Sequence, residues 1–253
     1  MTLPRLVTIP FSHYCEKARW ALQRGGVAFV EEGHLPPIVR LAALRRGRWS
    51  SVPLLVVDGQ RIADSTAILR FVDQRGTGCR LYPDDPAQRR EVDEWEELFD
   101  ERLGPHVRRA GYALLLADRA LAIELAAGAP VPWLERQLAR RAFAVVAQLI
   151  SRGLRITPAG VERSRRTIDE LFTTVEERLA DGRRFLVGDR FTAADLTLAA
   201  LAAPVLLPAG APHLPALERL PDEGRAYITA LRRRPIARFV ERLYAQEREL
   251  AAR

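Results

Sequence analysis

Residues 10–19, PFSHYCEKAR, set a hydroxyl, an imidazole, a phenol and a thiol side by side as Ser12, His13, Tyr14 and Cys15. The cluster follows the apolar run LVTI and precedes a helical pattern with apolar positions at Ala18, Ala21 and Leu22. A strand-to-helix corner of this kind can do chemistry. The first turn of a helix offers unpaired N–H groups and partial positive charge, a setting that favours anions, a thiolate included. Ser12 is equally well placed as a plain helix cap. Cys15 falls on the first turn, either packed on the sheet as a small hydrophobe or acting as a redox thiol.

Two further pairs stand out. Pro53, after Val52 and before the apolar run LLVV, cannot donate to a ladder, so it starts or edges a strand, and Val52–Pro53 is a candidate cis bond. Asp64–Ser65 opens another helical pattern, with Ser65 in the capping position and Asp64 just outside it. An acid beside helix N–H groups can also hold both charges of an amino acid. Asp64 takes the ammonium, while the Ser65 hydroxyl and the helix N–H groups take the carboxylate.

The elements that position these residues alternate over the first ~75 residues. Strands are predicted at 5–9, 27–30 and 52–57, with QRIA from 60 paired to the last through the Asp58-Gly59 hairpin signal. Helices are predicted at 14–24, at IVRLAALRR and at about 65–75. The order β-α-β-α-β-β-α implies a small mixed sheet with one parallel pair and an antiparallel edge. Gly, Pro and Asp cluster at 76–86, as in a linker. Beyond it the pattern is helical, near 108–127, 132–151, 158–181, 192–207 and 222–250, with a kink or break at Gly104-Pro105 in the helix after the linker. The chain thus divides into an α/β unit, 1–78, and an all-α unit, 87–253.

Composition narrows the class. The chain has 253 residues, enough for one large or two modest domains, and is 48% hydrophobic and 28% charged, as in a soluble globular protein. The net charge of +7 invites nucleic acid, but 38 of the 39 basic residues are arginines scattered among acids, with Lys17 the single lysine. That bias reads as the codon usage of a GC-rich bacterial genome, and no basic block interleaved with aromatics is present. Two cysteines, Cys15 and Cys79, make neither a disulfide framework nor a zinc cluster, so no metal is expected. The N-terminus lacks a signal-peptide apolar core, and the longest uncharged run, Leu196–Pro212, holds three prolines and suits a buried helix. A cytoplasmic protein without membrane or nucleic-acid partners is expected.

In order and spacing, FSHYCEKARWAL, SVPLLVVDG and ADSTAILRFVD resemble the N-terminal domain of the serine-using cytosolic glutathione transferases, a thioredoxin-like fold. FLVGDRFTAADLTLAA resembles the buried helix of that family's all-α domain, where Thr192 and Asp195 form a capping box and Phe191 and Leu196 a hydrophobic staple. The resemblance implies that Ser12 donates a hydrogen bond to the glutathione sulfur. Val52, before Pro53, offers its backbone to the cysteinyl part, and Asp64 and Ser65 hold the γ-glutamyl group. The glycyl carboxylate needs a cation, for which His34, Arg45 and Arg48 are candidates, because Ser51 stands where the family often has Lys or Gln. The electrophile pocket lies between the halves. His13, Tyr112, Arg109, Arg108 and His106 are candidates to line it, and the long segment from Ala126 to Pro158 to shape it. Glutathione is then a cosubstrate with no further cofactor, the acceptor a small hydrophobic electrophile or peroxide, the role detoxification and the assembly a homodimer. Lowering a thiol pKa from ~8.5 by ~2 units needs ~2.7 kcal/mol, within reach of one hydroxyl donor at ~1.5–3 kcal/mol and a helix dipole at ~0.3–1 kcal/mol. Two readings compete on the same fold: a Cys15-dependent thiol–disulfide reductase or deglutathionylase, and a thiol-binding protein without catalysis.

Overall fold

The structure, a computed structural model, describes residues 3–36, 38–46, 51–78 and 80–248. The first half runs β1 (Arg5–Thr8), α1 (His13–Arg24), β2 (Val30–Gly33), α2 (Val39–Arg46), β3 (Leu54–Val57), β4 (Gln60–Ala63) and α3 (Ser65–Arg75). The sheet order is β2-β1-β3-β4. β1 and β2 are parallel, and β3 pairs antiparallel with both β1 and β4. The Asp58-Gly59 turn has φ of 46° and 77°, the left-handed pair that a two-residue hairpin requires. This is the thioredoxin-like sheet expected from the sequence, with one displacement. The second strand is VEEG at Val30–Gly33 rather than VAFV at 27–30. Val27 and Phe29 still pack on the core, but the ladder forms where Glu31 and Glu32 can be paired. Glu31 accepts from Thr8 and Arg19, and Glu32 from Arg5.

The second half is helical: α4 (Pro86–Leu98), α5 (Gly104–Ala117), α6 (Arg119–Gly128), α7 (Trp133–Arg141), α8 (Phe143–Gly153), α9 (Pro158–Arg178), α10 (Ala193–Leu206), α11 (Asp222–Arg232) and α12 (Pro235–Leu243). Three predicted long helices are split. Asp118 ends α5 and caps α6 through Ala120 and Leu121 N–H, α7 and α8 meet at Ala142, and Pro235 restarts the chain after α11. Gly104-Pro105 does not break its helix. A π turn at Phe99–Leu103 joins α4 to α5, with Gly104 N–H bonded to Phe99 O. Asp195 accepts from Thr192 N–H, the Thr192 hydroxyl and Leu186 N–H, completing the capping box that starts α10. Apart from Pro204, every residue of α10 is buried. Among the described residues no helix is long and apolar enough to cross a membrane.

One apolar core spans both halves, joining Leu6, Trp20 and Leu69 to Phe99, Phe172 and Leu201. Helix α1 runs through it carrying charges. Lys17 is fully buried, its Nζ 2.8 Å from Glu96 and 2.7 Å from Asp100, and it donates to Thr66 at 2.9 Å. Burial pushes the Asp100 carboxyl up, against the pull of Lys17. Removing one member of such a cluster leaves its partners charged and unsolvated. Lys17→Met is therefore expected to cost about 3–5 kcal/mol, read from urea unfolding. Adding Glu96→Gln should recover part of the loss, and an unshifted midpoint for the single variant would contradict this account.

Candidate active site

The site begins at the start of α1. Ser12 has the extended backbone of an N-cap, and its Oγ accepts from Cys15 N–H at 3.5 Å while its carbonyl takes Glu16 N–H at 2.8 Å. Capping uses the hydroxyl as an acceptor and leaves its proton to be donated. The competing acceptor nearby is the Cys15 sulfur. Burial pushes that thiol up to about 11, outweighing the Ile9 N–H and the Ser12 hydroxyl that pull it down. A neutral thiol is a weak acceptor, so the Ser12 hydroxyl can cap the helix and still have a proton to donate elsewhere.

Its neighbours are fixed by the π turn. Pro105 has no N–H, and Gly104 N–H bonds to Phe99, so Asp100 O lacks a helical partner. The Tyr14 hydroxyl donates to it at 2.8 Å. A Cβ on Gly104 would lie 2.1 Å from that hydroxyl, so the close approach requires glycine. Burial first, then repulsion from Arg108, lowers His13 to about 3 and keeps it neutral. His13 Nε2 lies 3.2 Å from Gly104 O; a carbonyl only accepts, so Nε2 holds the proton.

Ser12, His13 and Tyr14 open onto a cavity of about 540 Å³ between the two halves. Ile9 and Val52 line its sheet side, and Arg40 of α2 stands at the edge. Arg108, Gly111, Tyr112 and Leu115 come from α5, and Leu149 and Leu154 from the end of α8 and the residue beyond it. Helix α8 has no buried residue, so it covers the cavity as a thin wall. Tyr112 meets Phe11 edge-on at 6.4 Å.

The structure gathers Ser12, Val52, His13, Tyr112 and Arg108 into this cavity and places the other candidates elsewhere. Asp64, not Ser65, is the cap of α3: its Oδ1 accepts from Thr66 N–H at 2.9 Å and Ala67 N–H at 3.3 Å, with φ at 81°. Ser65 is buried beside it, and Pro53, behind the cis Val52–Pro53 bond, is buried at the start of β3. Burial raises the Tyr14 pKa, with Asp100 and Asp64 adding to it, and neither Asp64 nor Ser65 is among the described residues that line the cavity. His34 is not a free cation; it pairs with Glu135 at 2.5 Å and Glu32 at 3.2 Å. Arg109 points away from the cavity, donating to Leu154 O and Ser164 Oγ at 2.8 and 2.9 Å, and His106 also meets Ser164. Arg45 is exposed outside the cavity lining, while Arg48 and Cys79 lie outside the described residues. The redox reading of Cys15 gains no support from this geometry: its sulfur is fully buried, and burial raises its pKa to about 11, a setting that keeps a thiol neutral. Sequence reasoning missed Arg40 and His213, which reach the cavity from α2 and from the loop after α10. Among 38 arginines no local signal singled out Arg40.

Comparison with known proteins agrees with this geometry. Residues 6–78 match the family description "Glutathione S-transferase, N-terminal domain", and residues 158–232 match "Glutathione S-transferase, C-terminal domain". The chain belongs to the glutathione S-transferase family. Among solved structures it is similar to a glutathione S-transferase from Xanthobacter autotrophicus Py2, with 21% identity over 96% of this chain and 93% of that one and a TM-score of 0.63. The beta-etherase LigF of Sphingobium sp. strain SYK-6 gives 20% identity, 94% and 98% coverage and a TM-score of 0.63. A Methylobacterium radiotolerans glutathione S-transferase, solved in complex with glutathione sulfonate, gives 22%, 98% and 92%, and 0.58. At these identities the likeness is one of fold. No curated protein matches the chain.

Burial of Cys15 has a direct consequence. In a Cys79→Ser background, iodoacetamide at pH 8 should leave Cys15 unmodified in the folded protein and alkylate it in urea. Rapid labelling without denaturant would contradict the buried thiol.

Proposed function

We propose that the chain is a glutathione transferase in which Ser12 holds the glutathione sulfur as a thiolate for attack on an electrophile in the cavity. The observation that carries this reading is the Ser12 hydroxyl, a helix cap that lines a largely apolar cavity with no carboxylate among its described lining residues. There the helix start and a charge-assisted hydrogen bond act on the sulfur together, and little water competes. The thiolate forms a carbon–sulfur bond as the leaving group departs with its electron pair, or as an activated double bond takes up a proton.

The remaining contacts follow from the site. Val52 offers backbone groups to the cysteinyl unit. Asp64 caps α3 through Oδ1, leaving Oδ2 for the γ-glutamyl ammonium, while the α3 start takes the carboxylate. Arg40, without a hydrogen bond or ion pair among the described residues, takes the place proposed from sequence for a cation at the glycyl carboxylate. In this reading residues 1–78 bind glutathione and 87–253 shape the acceptor pocket. The working form is a cytoplasmic homodimer, and no further cofactor takes part.

The test is Ser12→Ala, assayed with 1-chloro-2,4-dinitrobenzene and titrated calorimetrically with glutathione. Binding should stay within about threefold, while kcat/KM falls at least about tenfold, the loss of one hydrogen bond to a charged group. The low-pH limb of the rate profile should move up by about one to two units, because the bound thiol regains its ordinary pKa. Asp64→Ala should instead abolish binding. Full turnover in Ser12→Ala, or no glutathione binding by the unaltered chain, overturns the reading.

A further inference from the structure

Helix α5 presents a stripe to the cavity that the thiol chemistry does not use. Arg108 and Tyr112 are one turn apart and Leu115 follows on the same face, all three lining the cavity. The Arg108 guanidinium lies 5.9 Å from the Tyr14 ring centroid. Among the described residues neither Arg108 nor the Tyr112 hydroxyl makes a hydrogen bond or ion pair, whereas Arg19, Arg109 and Arg234 are each tied to carboxylates or carbonyls. The titratable groups that feel Arg108 at the site are His13, held neutral by burial and then by Arg108, and Tyr14 and Tyr112, whose pKa values burial raises and Arg108 pulls back down. No Asp or Glu is among the described lining residues. Two donors without acceptors thus converge on one wall.

Beyond them the cavity is largely apolar, with His213 at its margin. Leu114, Leu207, Leu220 and Ile228 line it and form a separate buried cluster of their own, with Leu125 packed against them. From Arg108 to Leu115 the helix rises about 10 Å. Gly111, between them, has no side chain to narrow the passage; a Cβ there would meet Pro204 at 3.5 Å.

We infer that the acceptor side of the cavity takes an electrophile carrying a carboxylate or similar anion, gripped by Arg108 and Tyr112, with an apolar tail laid along α5 toward the leucine cluster. This deepens the transferase reading and rests on it for the acceptor role, but the anion site itself is testable without turnover. The grip also sets the reacting carbon: an anion on Arg108 keeps the molecule from sliding, so the atom facing Ser12 is decided at the head and the tail only adds affinity.

The experiment is calorimetric titration with octanoate, octan-1-ol and octylamine, which share one tail. In water the carboxylate is the better solvated, so an apolar pocket alone favours the alcohol. The expected result is octanoate bound at least tenfold more tightly than either isostere. Arg108→Gln should remove that preference while leaving octan-1-ol affinity unchanged. Arg108 is exposed, so the variant should fold, and unchanged octan-1-ol binding reports that it has. Tyr112→Phe should weaken octanoate about threefold. Arg40→Gln should weaken glutathione and spare octanoate. Equal binding of alcohol and acid overturns the inference, as does a preference that survives Arg108→Gln or vanishes in Arg40→Gln. Glutathione titrated in parallel separates the two readings. Octanoate preference without glutathione binding sinks the thiol site alone, and glutathione binding without the preference sinks the anion site alone.

Discussion

A charge taken out of water must find an opposite charge, and α1 carries several through the middle of the molecule. Lys17 meets Glu96 and Asp100 from the helical half. Arg19 meets Glu31 of β2 and Glu16 of its own helix, and Glu16 in turn meets Arg248 near the end of the described chain. Arg24 pairs with Glu247 and lies over the Phe191 ring. Apolar packing alone tolerates sliding, because one methyl contact is much like another. These pairs do not, so α1 is held in rotation and height by partners on both sides. The position of Ser12 is a consequence of that pairing.

The site repeats the logic on a smaller scale, turning backbone defects into fixed points. Pro105 deprives a carbonyl of its partner, the π turn displaces the remaining bond, and Tyr14 fills the gap. Tyr14 is thereby committed to structure, and Ser12 is left as the hydroxyl of the α1 start that can turn outward. Cys15, two residues further into the turn than His13, is buried with its sulfur accepting from Ile9 N–H. The same ten-residue stretch therefore contains a donor, a strut and a packing residue, told apart by burial.

What the sequence revealed was what short-range rules govern. The Asp58-Gly59 hairpin, the Ser12 cap and the Thr192–Asp195 box each need only neighbours a few residues away. The strand at 30–33 was missed because its glutamates read as solvated until Arg19, Arg5 and Thr8 arrive from elsewhere. His34 looked like a ligand-binding cation for the opposite reason: its partner, Glu135, is a hundred residues away in α7. Asp64 and Ser65 do mark the start of α3, but Asp64 rather than Ser65 is its cap, a difference of one residue set by the positive φ at Asp64. Arg40 is set apart from most other arginines by lining the cavity, a placement made by the packing of α2 against residues distant in sequence.

The burial of Lys17 bears on the hazard of the proposed chemistry. A protein that handles soft electrophiles is exposed to them, and thiols and amines are the side chains they mark most readily. Here the single lysine is enclosed and ion-paired, and Cys15 is sealed in the core. The rest of the cationic surface is guanidinium, a far poorer nucleophile at neutral pH because it stays protonated. In the proposed transferase an escaping electrophile would find no lysine amine on the outside of the molecule, so much self-inflicted alkylation would be avoided.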